Sequence, residues 1–197
     1  MFFCRRHVCG QRICHLEHLP NIILAGPNQK PKDRASRLSA LIAQHYPESG
    51  PMRYARRDHA APELFLGDQK ISLSIAHTDH VEVLALSAHA NIGVDIERLD
   101  RSFPVARLVA RFWSPGERAS LQLLQGDDLR VAALAQWVRR EAMVKALGVG
   151  LAGHLNEYEP LHDVAAGRAQ YRSFVMGPYL VGLAWRGRQA MGLVRSE

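Results

Sequence analysis

The 197-residue chain predicts an α+β fold built from two similar halves, and three observations carry that prediction. Apolar residues alternate with small polar ones in the middle of the chain and near its end, the period of half-buried strands. Helical spacing precedes each strand group, over residues 32–46 and about 128–147. The chain also repeats itself. Leu84-Ala85-Leu86 and Ile92-Gly93-Val94 recur as Leu183-Ala184-Trp185 and Met191-Gly192-Leu193, both at an offset of 99 residues. A repeat of this kind implies two α/β halves packed about a pseudo-two-fold axis, residues 1–88 and 89–197.

Taken in order, residues 1–31 carry little periodicity, and Gly26-Pro27 and Pro31 read as a loop. Over 32–46, Leu38, Leu41 and Ile42 share one helix face, with Lys32, Arg34 and Arg37 near the start; Pro47, Gly50 and Pro51 end the helix. Ile71, Leu73 and Ile75 mark one strand, Val81, Val83 and Ala85 a second, and Ile92, Val94 and Ile96 a third. Ser87-Ala88-His89-Ala90 is the turn between the last two. Pro104 to Phe112 reads as a short helix. Ser114-Pro115-Gly116-Glu117 has the form of a capping box, with Pro115 at the first helical position. A longer helix runs from about Asp127 or Asp128 to Leu147 and closes at Gly148. Strands follow at about 168–176, 179–186 and 189–194.

Composition narrows the function classes. Hydrophobic residues make up 47% of the chain, enough for an ordinary core, yet no apolar run approaches the ~18 residues of a membrane span. The first residues lack the apolar stretch of a signal peptide, so the expected location is the cytoplasm. A formal net charge of +6 suits an anionic partner: nucleic acid, an acidic protein or a polyphosphate. Cys4, Cys9 and Cys14 are a poor disulfide framework. His7, His15 and His18 lie nearby, which leaves a metal site open, but without a C-x-x-C pair the thiols read as reduced.

Three segments carry chemistry. On a strand, Asp95 and Glu97 of Ile92-Gly93-Val94-Asp95-Ile96-Glu97 point the same way, while Val94 and Ile96 point into the core. Two carboxylates so placed repel each other unless a cation lies between them, and their oxygens suit a hard ion such as Mg²⁺. Alone, the pair is more often a solvated strand edge. In Trp137-Val138-Arg139-Arg140-Glu141-Ala142-Met143-Val144-Lys145-Ala146-Leu147-Gly148, Glu141 and Lys145 share a helix face, which by itself is a surface ion pair. Ser74-Ile75-Ala76-His77-Thr78 ends a strand. A histidine there is structural, or exposed, or binds a phosphate together with Thr78.

Together, Gly-Val-Asp-x-Glu and, 44 residues from Glu97, Glu141 within Trp-x-x-x-Glu-Ala-x-x-Lys-Ala-x-Gly-x-Gly-Leu resemble the 4′-phosphopantetheinyl transferase superfamily. Ser-x-x-His-Thr lies ahead of them in that family's order. Phe112-Trp113-Ser114-x-x-Glu117 looks like the segment the family places between its main motifs. The length and two-half layout are similar to the Sfp/AcpT-type members, pseudo-dimers in a single chain. The resemblance covers about residues 32–160. It implies the phosphopantetheinyl transferase fold and the transfer of 4′-phosphopantetheine from coenzyme A to a serine of an acyl or peptidyl carrier protein, with Mg²⁺ and release of 3′,5′-ADP.

It also implies roles. Asp95, Glu97 and Glu141 would hold Mg²⁺, with Glu141 as ligand, base or both. Lys145 would contact the phosphates and stabilise the leaving group. His77 would contact coenzyme A. Arg140 stands where the family often has lysine, and Lys32, Arg34 and Arg37 lie where members bind the 3′-phosphate. Two departures stand out: Ala76 replaces the usual serine, for which Thr78 could compensate, and Gly67-Asp68-Gln69-Lys70 only partly matches the Gly-Lys-Pro motif. Phe103, Phe112 and Trp113 read either as core or as an apolar patch for an acidic carrier. The expected state is a monomer, with no nucleic acid and no membrane. Two other readings remain at this level, a relative that binds coenzyme A or a carrier without transfer and a basic nucleic-acid-binding module, although no nucleic-acid motif is present.

Overall fold

The computed structural model describes residues 7–8, 11–15, 21–27, 31–45, 47, 49–55, 62–78, 80–148 and 160–187. The elements are β1 (His7–Val8), β2 (Gln11–His15), β3 (Asn21–Pro27), α1 (Pro31–His45), β4 (Met52–Ala55), β5 (Glu63–Leu66), β6 (Gln69–His77), β7 (Val81–Ser87), β8 (Asn91–Arg98), α2 (Val105–Phe112), α3 (Pro115–Ala119), α4 (Gly126–Leu147), α5 (Pro160–Ala165), β9 (Gln170–Met176) and β10 (Tyr179–Arg186). They form two sheets, ordered β1-β2-β3-β7-β6-β5-β4 and β8-β10-β9, and every paired strand is antiparallel. Among the described residues no helix is long and apolar enough to cross a membrane.

Strand alternation builds four layers. In β6 and β7, Ile71, Leu73, Leu84 and Leu86 pack with Leu38 and Ile42 of α1. The opposite face of the same strands offers Ala76, Val83 and Ala85 to Ile92, Val94 and Ile96 of β8 and to Val181, Leu183 and Trp185 of β10. The far side of the small sheet meets α4, where Ala142, Met143 and Ala146 pack with Ala184, and Leu134 and Val138 with Leu180. Period-two patterning thus sorts one set of side chains between the sheets and the other beneath a helix.

The sheets are joined by side chains rather than by a ladder. The Ile92 and Val94 amides of β8 donate to the hydroxyls of Ser72 and Ser74 on β6, each at 3.0 Å. The small polar residues that alternate along β6 therefore satisfy the free edge of β8. The constant offset of 20 residues sets β6 and β8 side by side in the same direction.

The predicted elements are recovered with short shifts at their ends. α4 closes at Gly148, which takes a left-handed φ of 73°, the conformation glycine adopts without a Cβ penalty. Ser114 caps α3 as expected: its hydroxyl accepts from the Glu117 amide and its own amide donates to Glu117 Oε2 at 3.1 Å. Ser114→Ala should cost about 1 kcal/mol, read by urea denaturation, since a lost N-cap is worth about 0.5–2 kcal/mol. Sequence reasoning missed β1, β2, β3, β4, β5 and α5, and it placed Gly26-Pro27 in a loop where they end β3. Trp113 is core and stacks on Trp137 with ring centroids 5.9 Å apart. Phe103 and Phe112 pack half-buried around it.

The repeat maps the β6–β7 hairpin onto the β9–β10 hairpin, each preceded by a helix, α1 or α4. Its second matched triplet, residues 191–193, and the strand expected at 189–194 lie outside the described residues, as does the side chain of Lys32.

Candidate active site

β8 and α4 build the site together. Gly93, Asp95 and Glu97 share the face of β8 that meets α4. An ideal Cβ on Gly93 would lie 1.9 Å from the Ala142 carbonyl oxygen and 2.5 Å from the Ala146 nitrogen. Only glycine lets the helix backbone come that close. The close approach carries Glu141 and Lys145, one helical turn apart, onto Asp95.

Lys145 Nζ donates to Asp95 Oδ1 at 2.7 Å and lies 3.6 Å from Glu141 Oε2. Asp95 is 5% exposed, and its other oxygen, Oδ2, is buried with no hydrogen-bond partner among the described residues. Burial pushes the Asp95 carboxyl up to about 7, with the Lys145 ammonium drawing it back down and Glu141 pushing it up. Burial works against the Lys145 charge as well, but Asp95 and Glu141 outweigh it and raise that group above its ordinary value.

The Asp95 shift has a sign that can be tested. The folded state holds the Asp95 proton more tightly than the unfolded chain does, so its contribution to stability is complete below the ordinary value of 3.8 and is lost as pH rises through about 7. In metal-free buffer, Asp95→Asn should therefore gain stability relative to the parent between pH 4 and 7 and hold that gain above. Parallel urea denaturation series across pH read the difference. Parallel pH profiles for the two proteins would refute it.

Glu97 has a different ion-pair partner from the other two carboxylates. Its side chain, half-buried on the same face of β8, is ion-paired with Arg101. Burial raises its carboxyl and the Arg101 contact opposes the rise. Among the described residues no group of three carboxylate, histidine or cysteine side chains stands close enough to hold a metal ion. Of the three expected metal ligands, Asp95 and Glu141 share Lys145 and Glu97 is ion-paired with Arg101.

His77 ends β6 with its ring exposed. Continuing the β6–β8 offset puts it level with Glu97, at the carboxylate end of β8. Ala76 is buried between the sheets, at 3% exposure, so the position that departs from the family pattern points into the core. Thr78 follows in the turn, its hydroxyl accepting from the Val81 amide at 3.2 Å. A shallow groove of about 640 Å³ opens at the other end of β6 and β8; Lys70, His89, Lys145 and Arg186 are its basic lining residues.

Three predicted ligand contacts are placed differently. Arg34 and Arg37 are buried in α1 against the fully buried Glu82 of β7. Arg34 Nε donates to Glu82 Oε2 at 2.8 Å and Arg37 Nη1 to Oε1 at 3.5 Å. The signal was available: Arg34, Leu38 and Ile42 recur every four residues and share the sheet-facing stripe. Arg140 is 1% exposed and ion-paired with buried Glu117, its guanidinium 5.9 Å from the Trp113 ring. It ties α4 to the start of α3, one residue from Glu141. Buried ion pairs of this kind hold elements in register.

A basic side chain bridging two carboxylates thus lies where α4 meets β8, within a stretch that is similar to known proteins. Residues 91–178 match the family model of the 4′-phosphopantetheinyl transferase superfamily. A putative 4′-phosphopantetheinyl transferase of Synechocystis sp. is 30% identical over 92 residues, 47% of this chain and 37% of that protein. The 4′-phosphopantetheinyl transferase HetI of Nostoc sp. is 26% identical over 109 residues, 53% of this chain and 45% of that protein. The chain thus spans less than half the length of the curated relatives it matches.

Proposed function

We propose that this protein transfers 4′-phosphopantetheine from coenzyme A to a serine of an acyl or peptidyl carrier protein, with Mg²⁺, releasing 3′,5′-ADP. The observation that carries this reading is Lys145 held at 2.7 Å from buried Asp95 and 3.6 Å from Glu141, inside the stretch that matches the superfamily. The two halves, 1–88 and 89–197, a pseudo-two-fold relation between them, a monomeric state and a cytoplasmic location belong to the same reading.

Two of the three expected donors, Asp95 and Glu141, lie against one cation already and have the oxygen chemistry a hard divalent ion takes. Asp95 Oδ2 is a buried carboxylate oxygen without a hydrogen-bond partner among the described residues, and the Lys145 ammonium lies between Asp95 and Glu141. Mg²⁺ held by Asp95 and Glu141, with Glu97 as the third oxygen donor, would neutralise pyrophosphate charge. The protein's own groups do the rest. Glu141, half-buried at the edge of the cluster, takes the proton of the carrier serine as its oxygen attacks the β-phosphorus. Lys145 stabilises the charge that builds on the departing 3′,5′-ADP. His77 and Thr78 contact the coenzyme at one end of β6. The groove lined by Lys70, His89 and Arg186 offers its phosphates further positive charge. The net charge of +6 steers in an acidic carrier.

Incubation with coenzyme A, Mg²⁺ and a panel of apo-carrier proteins, followed by intact-mass spectrometry, tests the reading: one carrier should gain one phosphopantetheine. No gain on any carrier would reject it. A second reading, a relative that binds coenzyme A without transfer, is favoured by one observation: Glu97 is engaged by Arg101. Tight coenzyme A binding without turnover would select it.

A further inference from the structure

Each carboxylate of the site has a cation in this structure, but not the same one. Lys145 serves Asp95 and Glu141, and Arg101 serves Glu97. Arg101 is placed by a built turn. Directly after β8, the Arg101 amide donates to the Arg98 carbonyl at 3.1 Å. The Leu99 amide donates to the Pro178 carbonyl at 2.8 Å. From α4, Arg130 donates to the carbonyls of both Leu99 and Arg101, the latter at 3.2 Å, and is itself held by Asp127 Oδ1 at 2.8 Å. The neighbouring arginine, Arg98, is occupied by Asp100, Nε to Oδ1 at 2.8 Å. Among the described residues Arg101 is the cation ion-paired with Glu97. Meanwhile Asp95 Oδ2, in a side chain nine-tenths buried, has no hydrogen-bond partner among the described residues.

We propose that Arg101 is a positioning residue that latches Glu97 away from the Asp95–Glu141 pair, and that a divalent cation completes its ligand set only by displacing the Arg101 guanidinium from Glu97. The inference rests on the metal-dependent reading above. The Arg101 side chain is half-exposed, at 49%, so the latch is weak enough to be released and strong enough to compete. Competition from an ion pair of this exposure weakens metal binding by about two- to fivefold.

Mn²⁺ titration of the intact protein, with free Mn²⁺ read by electron paramagnetic resonance, tests it. Arg101→Gln should bind Mn²⁺ about two- to fivefold more tightly than the parent, and Arg101→Lys should lie close to the parent. Removing any nearby positive charge also favours a cation through the general field, and Glu97→Gln separates the two effects. In the Glu97→Gln background, Arg101→Gln should leave Mn²⁺ affinity unchanged, because nothing remains to be released. An equal tightening in both backgrounds would overturn the latch while leaving the metal site standing, as would unchanged or weaker binding by Arg101→Gln alone. Absence of Mn²⁺ binding by every variant would overturn the latch and the metal-dependent reading together. Circular dichroism melts establish that each variant is folded.

Discussion

Asp95→Asn is expected to lower phosphopantetheine transfer by about 10²–10³-fold while leaving the protein folded. The substitution keeps the shape of a side chain that fills a nearly closed space between β8 and α4. What it removes is the charge. Among the described residues Lys145 then has Glu141, 3.6 Å away, to hold it, and the buried side chain loses its attraction for a cation. Deleting one electrostatic contact to charge that develops in a transition state costs about 10²–10³ in rate. Folding survives because burying an ionised carboxylate is unfavourable in the first place, which is why the Asp95 carboxyl is pushed up to about 7. Intact-mass assay of carrier modification and a thermal melt measure the two halves of the claim. Full activity would exclude Asp95 from the chemistry, and loss of folding would make it a structural residue instead.

Gly93→Ala is the second large effect, and it acts on stability. Its Cβ would sit 1.9 Å from one backbone atom of α4 and 2.5 Å from another, and backbone cannot step aside as a side-chain end can. The helix must lift from the sheet, opening the packing of Ala142, Met143 and Ala146 on Ala184. Overpacking of a core side chain costs about 1–3 kcal/mol, so a clash with helix backbone should cost about 3 kcal/mol or more in urea denaturation. Transfer should fall as well, since Lys145 and Glu141 move with the helix and a displacement of about 1 Å can cost 10²-fold. Gly116→Ala is the control: a Cβ there meets nothing within 4 Å, and the change should stay within about 0.5 kcal/mol. Parental stability in Gly93→Ala would mean that α4 does not lie against β8 as described.

The same glycine shows how far local pattern could be followed. Alternation along Ile92–Glu97 places Asp95 and Glu97 together and Val94 and Ile96 in the core, and the structure agrees. Alternation does not say that the carboxylate face is roofed by a helix. That depends on Gly93 lacking a Cβ, a property of the pair β8–α4 and not of either element. The capping box at Ser114 and the glycine stop at Gly148 were legible because caps are local. Arg34, Arg37 and Arg140 were given ligand contacts from the family resemblance alone, and the structure buries all three. Helical period places Arg34 on the buried stripe of α1, but it does not name the partners, Glu82 and Glu117, which lie 48, 45 and 23 residues away.

From its sequence alone this protein's strand and helix patterning, its helix stops, the superfamily motifs and the pairing of Asp95 with Glu97 on one strand face could be established, because each is set by residues a few positions apart. The tertiary structure decided which cation each carboxylate meets. Lys145 bridges Asp95 and Glu141 because α4 packs onto β8 at Gly93, and Arg101 takes Glu97 because Arg130 anchors the turn after β8. Those pairings follow from packing distance between segments far apart in the chain, and charge is shared by whatever folding brings within reach.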